Sequence, residues 1–298
     1  MAISRAQLVK ELEPGLNALF GLEYDRYTNE TAEIFTTETS DRAFEEEVML
    51  SGFGGAATKA EGAAVTFDDA KEAFTARYTH QTIALAFAIT EEAIEDNLYD
   101  RLGNRYARAL ARSMANTKQV KGAEILNNAF SSSQLGGDGV VLCSTAHPTV
   151  SGTNLSNTFT TQADLSETSL ESALINIAAF IDERGLKISI QGTKLILPKE
   201  LQFTAERILK SPLRVGTADN DINAIANMNM IPEGYRVNHY LNDTNAWFIK
   251  TDTPNGFKHF VRAALRTAME GDFDTGNVRY KARERYSFGF SDPRCVYG

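Results

Sequence analysis

The chain has 298 residues, with 30 Lys+Arg against 39 Asp+Glu, a formal net charge of −9, 43% hydrophobic and 23% charged residues. A chain of this length and ordinary composition can bury roughly 75% of its unfolded surface and needs no staples. Two cysteines, Cys143 and Cys295, exclude a disulfide-rich scaffold, no run of about 18 apolar residues suggests a membrane helix, and Met1 to Arg5 lacks the apolar core of a signal peptide. The reading is a soluble protein of a reducing cytosol. Its acidity argues against a dedicated DNA-binding domain.

The charge is unevenly spread. Residues 1–100 carry 20 acids and 7 bases, residues 101–130 carry 6 bases and 1 acid, residues 131–257 net −4 and residues 258–298 net +3. Such segregation suggests that acidic and basic regions meet, within a subunit or between copies; solvated faces without a partner are the simpler alternative.

Residues 1–47 look like an arm. Ile3 to Glu11 predicts a short helix, stopped by Pro14-Gly15. Tyr24 to Glu47 is polar, threonine-rich and acidic, ends on Glu45-Glu46-Glu47, and cannot bury enough apolar area to order itself alone. Residues 48–90 read as a long two-stranded excursion. A flexible Ser51-Gly52-Phe53-Gly54-Gly55 leads to a small, polar tip, and Val65 to Phe67 restarts a strand. The return alternates at Phe74, Ala76 and Tyr78, then at Ile83, Leu85, Phe87 and Ile89. That change of parity predicts a bulge or bend near residues 79–82.

Thr90 is a helix N-cap, followed by Glu91, Glu92, Glu95 and Asp96 at the positive end of the dipole. The helix should run to about Asn127, with Leu98, Leu102, Tyr106, Ala109, Leu110 and Val120 on an apolar face. Arg101, Arg105, Arg108 and Arg112 form a basic stripe beside it. Residues 131–165 are a long loop or loosely packed extension. Ser166 caps a helix through Leu170, Ala173, Leu174, Ile177 and Ile181 that Gly185 can end. Lys194 to Leu197 is a buried strand, and Pro198 opens a helix through Ala205 and Leu209. Tyr235–Leu241 and Ala246–Thr251 read as a hairpin, with Trp247 in the core. The clearest period of two comes last: Val278, Tyr280, Ala282, Tyr286, Phe288 and Phe290 alternate with Arg279, Lys281, Arg283, Arg285, Ser287 and Gly289. Glu284 alone breaks the apolar face.

Chemistry is harder to find. His80, His147, His239 and His259 are scattered without metal-ligand spacing, and the local pair Cys143 and His147 is not evidence of a nucleophile and its base. Asp219-x-Asp221-x-Asn223 lacks the glycine and glutamate of a calcium loop. No catalytic residue, metal or cofactor is expected.

The order of parts, an arm, an extended loop, a spine-length helix, an α+β region and a final long strand, resembles the major capsid protein of tailed bacteriophages, the Hong Kong ninety-seven fold. More narrowly, it looks like the Mu-like major head subunit family. The more specific matches are Gly137-Asp138-Gly139 with His147-Pro148, Leu195-Ile196-Leu197-Pro198 with Ala205 and Ile208-Leu209-Lys210-Ser211, Thr217-Ala218-Asp219-Asn220 with Asn223, and Arg285 through Pro293. The resemblance implies an N-terminal arm over 1–47, an extended loop over 48–82, a peripheral domain with the spine helix over 83–165, an axial domain over 166–263 and closing peripheral strands over 264–298. It implies self-assembly as hexamers and pentamers into an icosahedral shell around double-stranded DNA, made in the bacterial host cytoplasm. About 47 residues before the loop are too few for an internal scaffold, so a separate scaffolding protein is implied, with a portal protein at one vertex and a place for a cement protein. Some members cross-link a Lys to an Asn. Lys59 stands at the loop tip, where a flexible exposed lysine is the simpler reading. An encapsulin-type nanocompartment shares the fold and stays an alternative, with a Cys143–His147 hydrolase the more distant one. Candidate intersubunit contacts are Glu45, Glu46 and Glu47, Lys59, the four helix arginines, and Arg279, Lys281, Arg283 and Arg285.

Overall fold

A computed structural model describes residues 5–90, 92–93, 99–214, 221–272 and 276–298. Helix α1 (Arg5–Arg26) is followed by strand β1 (Thr36–Thr39), the strands β2 (Phe44–Leu50) and β3 (Glu72–Thr79), strand β4 (Gln81–Ile89) and the spine helix α2 (Tyr99–Asn127). Then come α3 (Glu167–Ala178), β5 (Gly192–Leu197), α4 (Gln202–Lys210), the single turn α5 (Ala224–Asn227), β6 (Tyr235–Val237), β7 (Phe248–Thr251), β8 (Phe257–Gly271), β9 (Val278–Phe290) and β10 (Val296–Tyr297).

The long strand β9 organises the larger sheet, whose order is β1-β8-β9-β4. Its even-numbered residues face α2. Tyr280 and Ala282 pack with Leu110, Ala111 and Met114 of α2 and with Leu16 and Phe20 of α1. The odd face, with Arg279, Lys281 and Arg283, carries no helix and is exposed. The smaller sheet, β10-β7-β5-β6, uses the same alternation. Leu195, Leu197 and Ile249 lie under α3 and α4, whereas Ile196, Phe248 and Val296 rest on Ile125, Leu126 and Ala129 at the end of the spine and on Phe257 and Phe290. The two sheets therefore share one apolar junction at the C-terminal end of α2.

Several expectations need correction. α1 continues through Pro14 to Arg26. A mid-helix proline costs about 3 kcal/mol, and burial of Leu16 and Phe20 against the spine and sheet offsets it. The polar tract after it is not without a core: Ile34 and Phe35 are buried, and β1 pairs in parallel with β8. Val65 to Phe67 forms no strand, and Phe67 is 95% exposed. Tyr235–Leu241 and Ala246–Thr251 are not a hairpin; β6 and β7 flank β5 on either side, parallel and antiparallel. The helix capped by Ser166 ends at Ala178, well before Gly185, which turns the chain at φ +84.

On the spine helix, Ala109, Tyr106 and Val120 are exposed, and the buried ridge is Ala107, Leu110, Ala111, Met114 and Ala115. Small residues win these positions because α1 and the sheet approach closely there. Tyr106, 48% exposed, covers only the edge of Phe87. Leu98 and the side chains of Arg101 and Leu102 lie outside the described residues. β8 begins in the large sheet at Phe257 and β10 closes the small one, so both sheets cross the boundary expected at residue 263. Residues 131–165 are irregular but firmly packed, with Leu142, Cys143, Leu155 and Asn157 buried.

Under the spine lies a buried polar group. Glu284 is 2% exposed and meets the Lys118 ammonium at 3.5 Å, with Tyr24 of α1 beside it. Burial pushes the Glu284 carboxyl up. His259 of β8 stacks on Phe288 at 4.3 Å, faces Thr37 Oγ1 at 3.2 Å, and is pushed down to about 4 by burial and by Lys118. A base held neutral in the fold refuses a proton that the unfolded chain accepts. Stability is therefore intact above about pH 6.5 and falls between there and pH 4, by about 3 kcal/mol for this one group. His259→Phe should abolish that component: its deficit relative to the parent at pH 7.5 should shrink or invert at pH 4.5, as read from urea midpoints.

Candidate assembly surface

The strands β2 and β3 form an extended hairpin in which Glu45 faces Tyr78 and Glu47 faces Ala76, with an irregularity after Val48. One face of the hairpin lies on the odd face of β9. Tyr78 packs edge-on against Phe260, and a Cβ on Gly289 would sit 2.6 Å from the Tyr78 ring, so only glycine admits this approach. The Tyr78 hydroxyl bonds Ser291, which donates to Glu47, and Glu47 and Glu38 both meet the Lys258 ammonium.

A second polar node sits at the bend between β3 and β4, the site the change of parity predicted. Ser40 Oγ donates to Glu45 Oε1 at 2.6 Å. His80 Nε2 therefore donates to Ser40 at 3.0 Å, and its Nδ1 accepts from Ser287 at 3.0 Å. Burial, helped by the nearby Arg285, holds His80 below its ordinary value and so neutral. Glu45 and Glu47 are thus engaged within the subunit. Glu46 is exposed and pairs with Arg77, whose guanidinium lies 3.9 Å from the centre of the Phe44 ring.

The outward face of the hairpin exposes Phe44, Val48 and Leu50, and beyond it Phe53, Val65 and Phe67. Residues 55–72, Lys59 among them, are exposed throughout. Arg105, Arg108 and Arg112 are exposed on the side of α2 away from the sheet. Arg112 Nε donates to the Tyr27 hydroxyl at 2.8 Å, so it meets the arm through a phenol and not a carboxylate. On the open sheet face Arg279 pairs with Asp272 of its own subunit, and the buried Arg285 Nε finds no acceptor among the described residues. Lys281, Arg283 and the cross-strand Arg266 have no carboxylate within 4 Å among the described residues, and the small Ala84, Ala86 and Ala268 flank them.

The motif Gly137-Asp138-Gly139 with His147 proves to be a brace. Asp138 Oδ2 meets His147 Nδ1 at 2.6 Å, and His147 Nε2 meets Asn157 Oδ1 at 3.2 Å. Asn157 donates to the carbonyls of Leu142 and Pro293 at 2.7 and 2.8 Å. Both His147 nitrogens are therefore occupied, and burial in an apolar cluster pushes the Cys143 thiol far up. Neither group is prepared for nucleophilic catalysis. Nearby, Arg294, 3% exposed, pairs with Glu183 at 2.6 Å and Asp292 at 3.2 Å. These scattered hydroxyls and carboxylates escaped sequence reasoning; the glycine at 289 within an aromatic strand was the one local sign of a close approach.

The family described as phage capsid protein matches the chain over residues 71–298. The chain belongs to this family. As a phage capsid protein it has a structural role, that of a shell subunit. No curated protein matches it. Solved structures show the same fold at low identity. The crystal structure of a virus-like particle from Pyrococcus furiosus aligns with TM-score 0.54 and 10% identity, covering 95% of this chain and 96% of that one. The capsid of an empty GTA particle gives 0.56 and 14%, over 91% and 89% of the two chains. The procapsid of bacteriophage JBD30 gives 0.51 and 15%, over 99% and 75%. The mixed fold of this capsid protein is accordingly the Hong Kong ninety-seven-type architecture.

The brace also supports the hairpin. A Cβ on Gly137 would lie 2.7–2.8 Å from backbone atoms of Thr75 and Ala76, which cannot yield as a side-chain end would. Gly137→Ala should cost about 1–3 kcal/mol and lower Tm by about 2–4 °C per kcal/mol, with faster amide exchange in β3, whereas Ala at the nearby exposed Ser133 should leave both unchanged.

Proposed function

We propose that this capsid protein assembles as hexamers and pentamers into an icosahedral shell around phage double-stranded DNA, with its extended hairpin seated on a second copy. One observation carries the subunit contact: the odd face of β9 is covered at its Ser287–Ser291 end by the subunit's own hairpin and left bare at its Arg279–Arg283 end. The surface that already receives one hairpin is thus half empty. Residues 44–72 carry seven acids and two bases, complementary to that bare, basic half. With Glu45 and Glu47 held in the root, the acids free for a neighbour are Glu61, Asp69 and Glu72, and Glu46 beside its Arg77 partner.

The exposed Phe44, Val48 and Leu50 supply apolar area that a neighbour would cover. Arg105, Arg108 and Arg112 face the opposite way from the sheet, so the peripheral layer is basic on both sides. A shell one subunit thick has one inner surface, so one basic side at most meets DNA, and the other is left for protein. A scaffolding protein, a portal and a cement protein complete the assembly made in the host cytoplasm.

Electron microscopy of particles from infected cells tests the reading. DNA-filled shells with six- and five-fold clusters support it. Small shells loaded with protein would point to a nanocompartment, and dispersed subunits would overturn both. For the contact itself, Lys281→Glu with Arg283→Glu should leave a folded subunit. Losing two exposed charge contacts worth up to about 1 kcal/mol each weakens every subunit contact by up to about thirtyfold, and shell yield by sedimentation should collapse. Normal yield would place this face away from any acidic neighbour.

A further inference from the structure

We infer that the extended loop is divided into a fixed root and a releasable tip, and that the contact between Asp68 and Arg184 ties the tip to its own subunit until a second copy takes the loop. The release step rests on the assembly just proposed; the division does not.

The boundary is a neck at Ser51 and Lys71. Ser51 N donates to Lys71 O at 2.8 Å, and Lys71 N donates to Ser51 Oγ at 2.9 Å. Below the neck the hairpin is held by groups that cannot be let go cheaply. Tyr78, His80, Ser287 and Lys258 are buried, and each has a polar partner contributed by another strand or segment. Swinging the hairpin away would strand them at a cost of desolvation for each. The Gly137 turn closes on the Thr75–Ala76 backbone from the side.

Above the neck the opposite holds. Apart from Ser51 Oγ, which donates to Gly52 O at the neck itself, every hydrogen bond from residues 52–70 to the rest of the subunit passes, among the described residues, through Asp68. Its two carboxylate oxygens accept from Arg184 Nη2 at 2.6 and 2.8 Å, and Oδ2 also accepts from Gly54 N at 2.7 Å. These bonds hold the Asp68 carboxyl below the usual carboxylate range. Arg184 itself is a rigid post. Asp182 Oδ1 accepts from Arg184 N and Leu186 N at 2.9 and 2.8 Å, Gly185 turns the chain at φ +84, and the neighbouring Glu183 is locked to Arg294. An exposed ion pair on such a post is weak and screened by salt. A neighbour's contacts can displace it, whereas they cannot displace the root. Gly52, at φ +65, gives the stem the backbone freedom to redirect the tip.

Hydrogen exchange on the dispersed full-length chain tests the division without any assembly. Asp68→Asn keeps the shape and removes the charge; Arg184→Gln cuts the tie from the other side. Both should raise exchange at Gly54 and across 52–70 by about two- to fivefold, leaving 44–50 and 72–79 unchanged. The charge swap Asp68→Arg with Arg184→Asp should restore protection in part. In light-scattering assays at low salt, the single variants should form shells faster than the parent, and 0.5 M NaCl should bring the parent close to them. Unchanged exchange at 52–70, or acceleration of 44–50 and 72–79 together with the tip, would overturn the inference. So would variants that assemble at the parent's rate or more slowly. If no variant and no parent forms shells, the assembly proposal falls, while the exchange data still decide whether root and tip are separate.

Discussion

The structure depends on the strict alternation of β9. Thirteen residues of period two, broken on the apolar face by Glu284 alone, place apolar side chains against the helices and mostly polar ones on the other side. A slip of one residue would put Arg279, Lys281 and Arg283 beneath α2 and Tyr280 and Tyr286 in water. Register is further pinned by Glu284, which would be intolerable beneath the helix without Lys118. The same strand then supplies Ser287 to the hairpin, is followed by Ser291, which the hairpin also holds, and leads into the segment that closes the smaller sheet. Core, surface and root are three readings of one pattern.

That explains which parts were legible in the sequence. The spine helix, the closing strand, the Ser166 cap and the bend near residue 80 all leave local marks: a period, a cap, a change of parity. The basic stripes are visible for the same reason. What was illegible is non-local. Pro14 reads as a stop because the packing of Leu16 and Phe20 that offsets it is absent from the local sequence. β6 and β7 look like a hairpin because the strand inserted between them lies some forty residues upstream. The buried face of α2 was misread because large apolar residues were favoured over the alanines that let helices approach.

The site divides in the same way. Its exposed charges could be found from composition, whereas its buried clasp could not. Ser40, His80, Ser287 and Lys258 are drawn from distant segments, and each alone is an ordinary polar residue. From the sequence, Glu45 and Glu47 read like Glu46 as candidate contacts with a neighbouring subunit. Their alternation with Glu46 along β2 is what assigns two of them to the subunit interior and one to the surface. Burying such groups offers little net stability. Their value is geometric: they fix the angle at which the hairpin leaves the sheet.

The parallel pairing of β1 with β8 has a consequence for biosynthesis. Thr37 and His259, which touch across that pair, are 222 residues apart. Closing so long a loop is slow, and no amount of early folding can bring it forward, because the partner strand has not yet been translated. Strand β1 and the hairpin root therefore stay unpaired on the ribosome until β8 and β9 have been made, although α1 can already lie on the spine helix. Under the assembly proposed above, a subunit acquires the surface that meets a neighbour only near the end of synthesis, so nascent chains on one message are kept from locking together before they are complete.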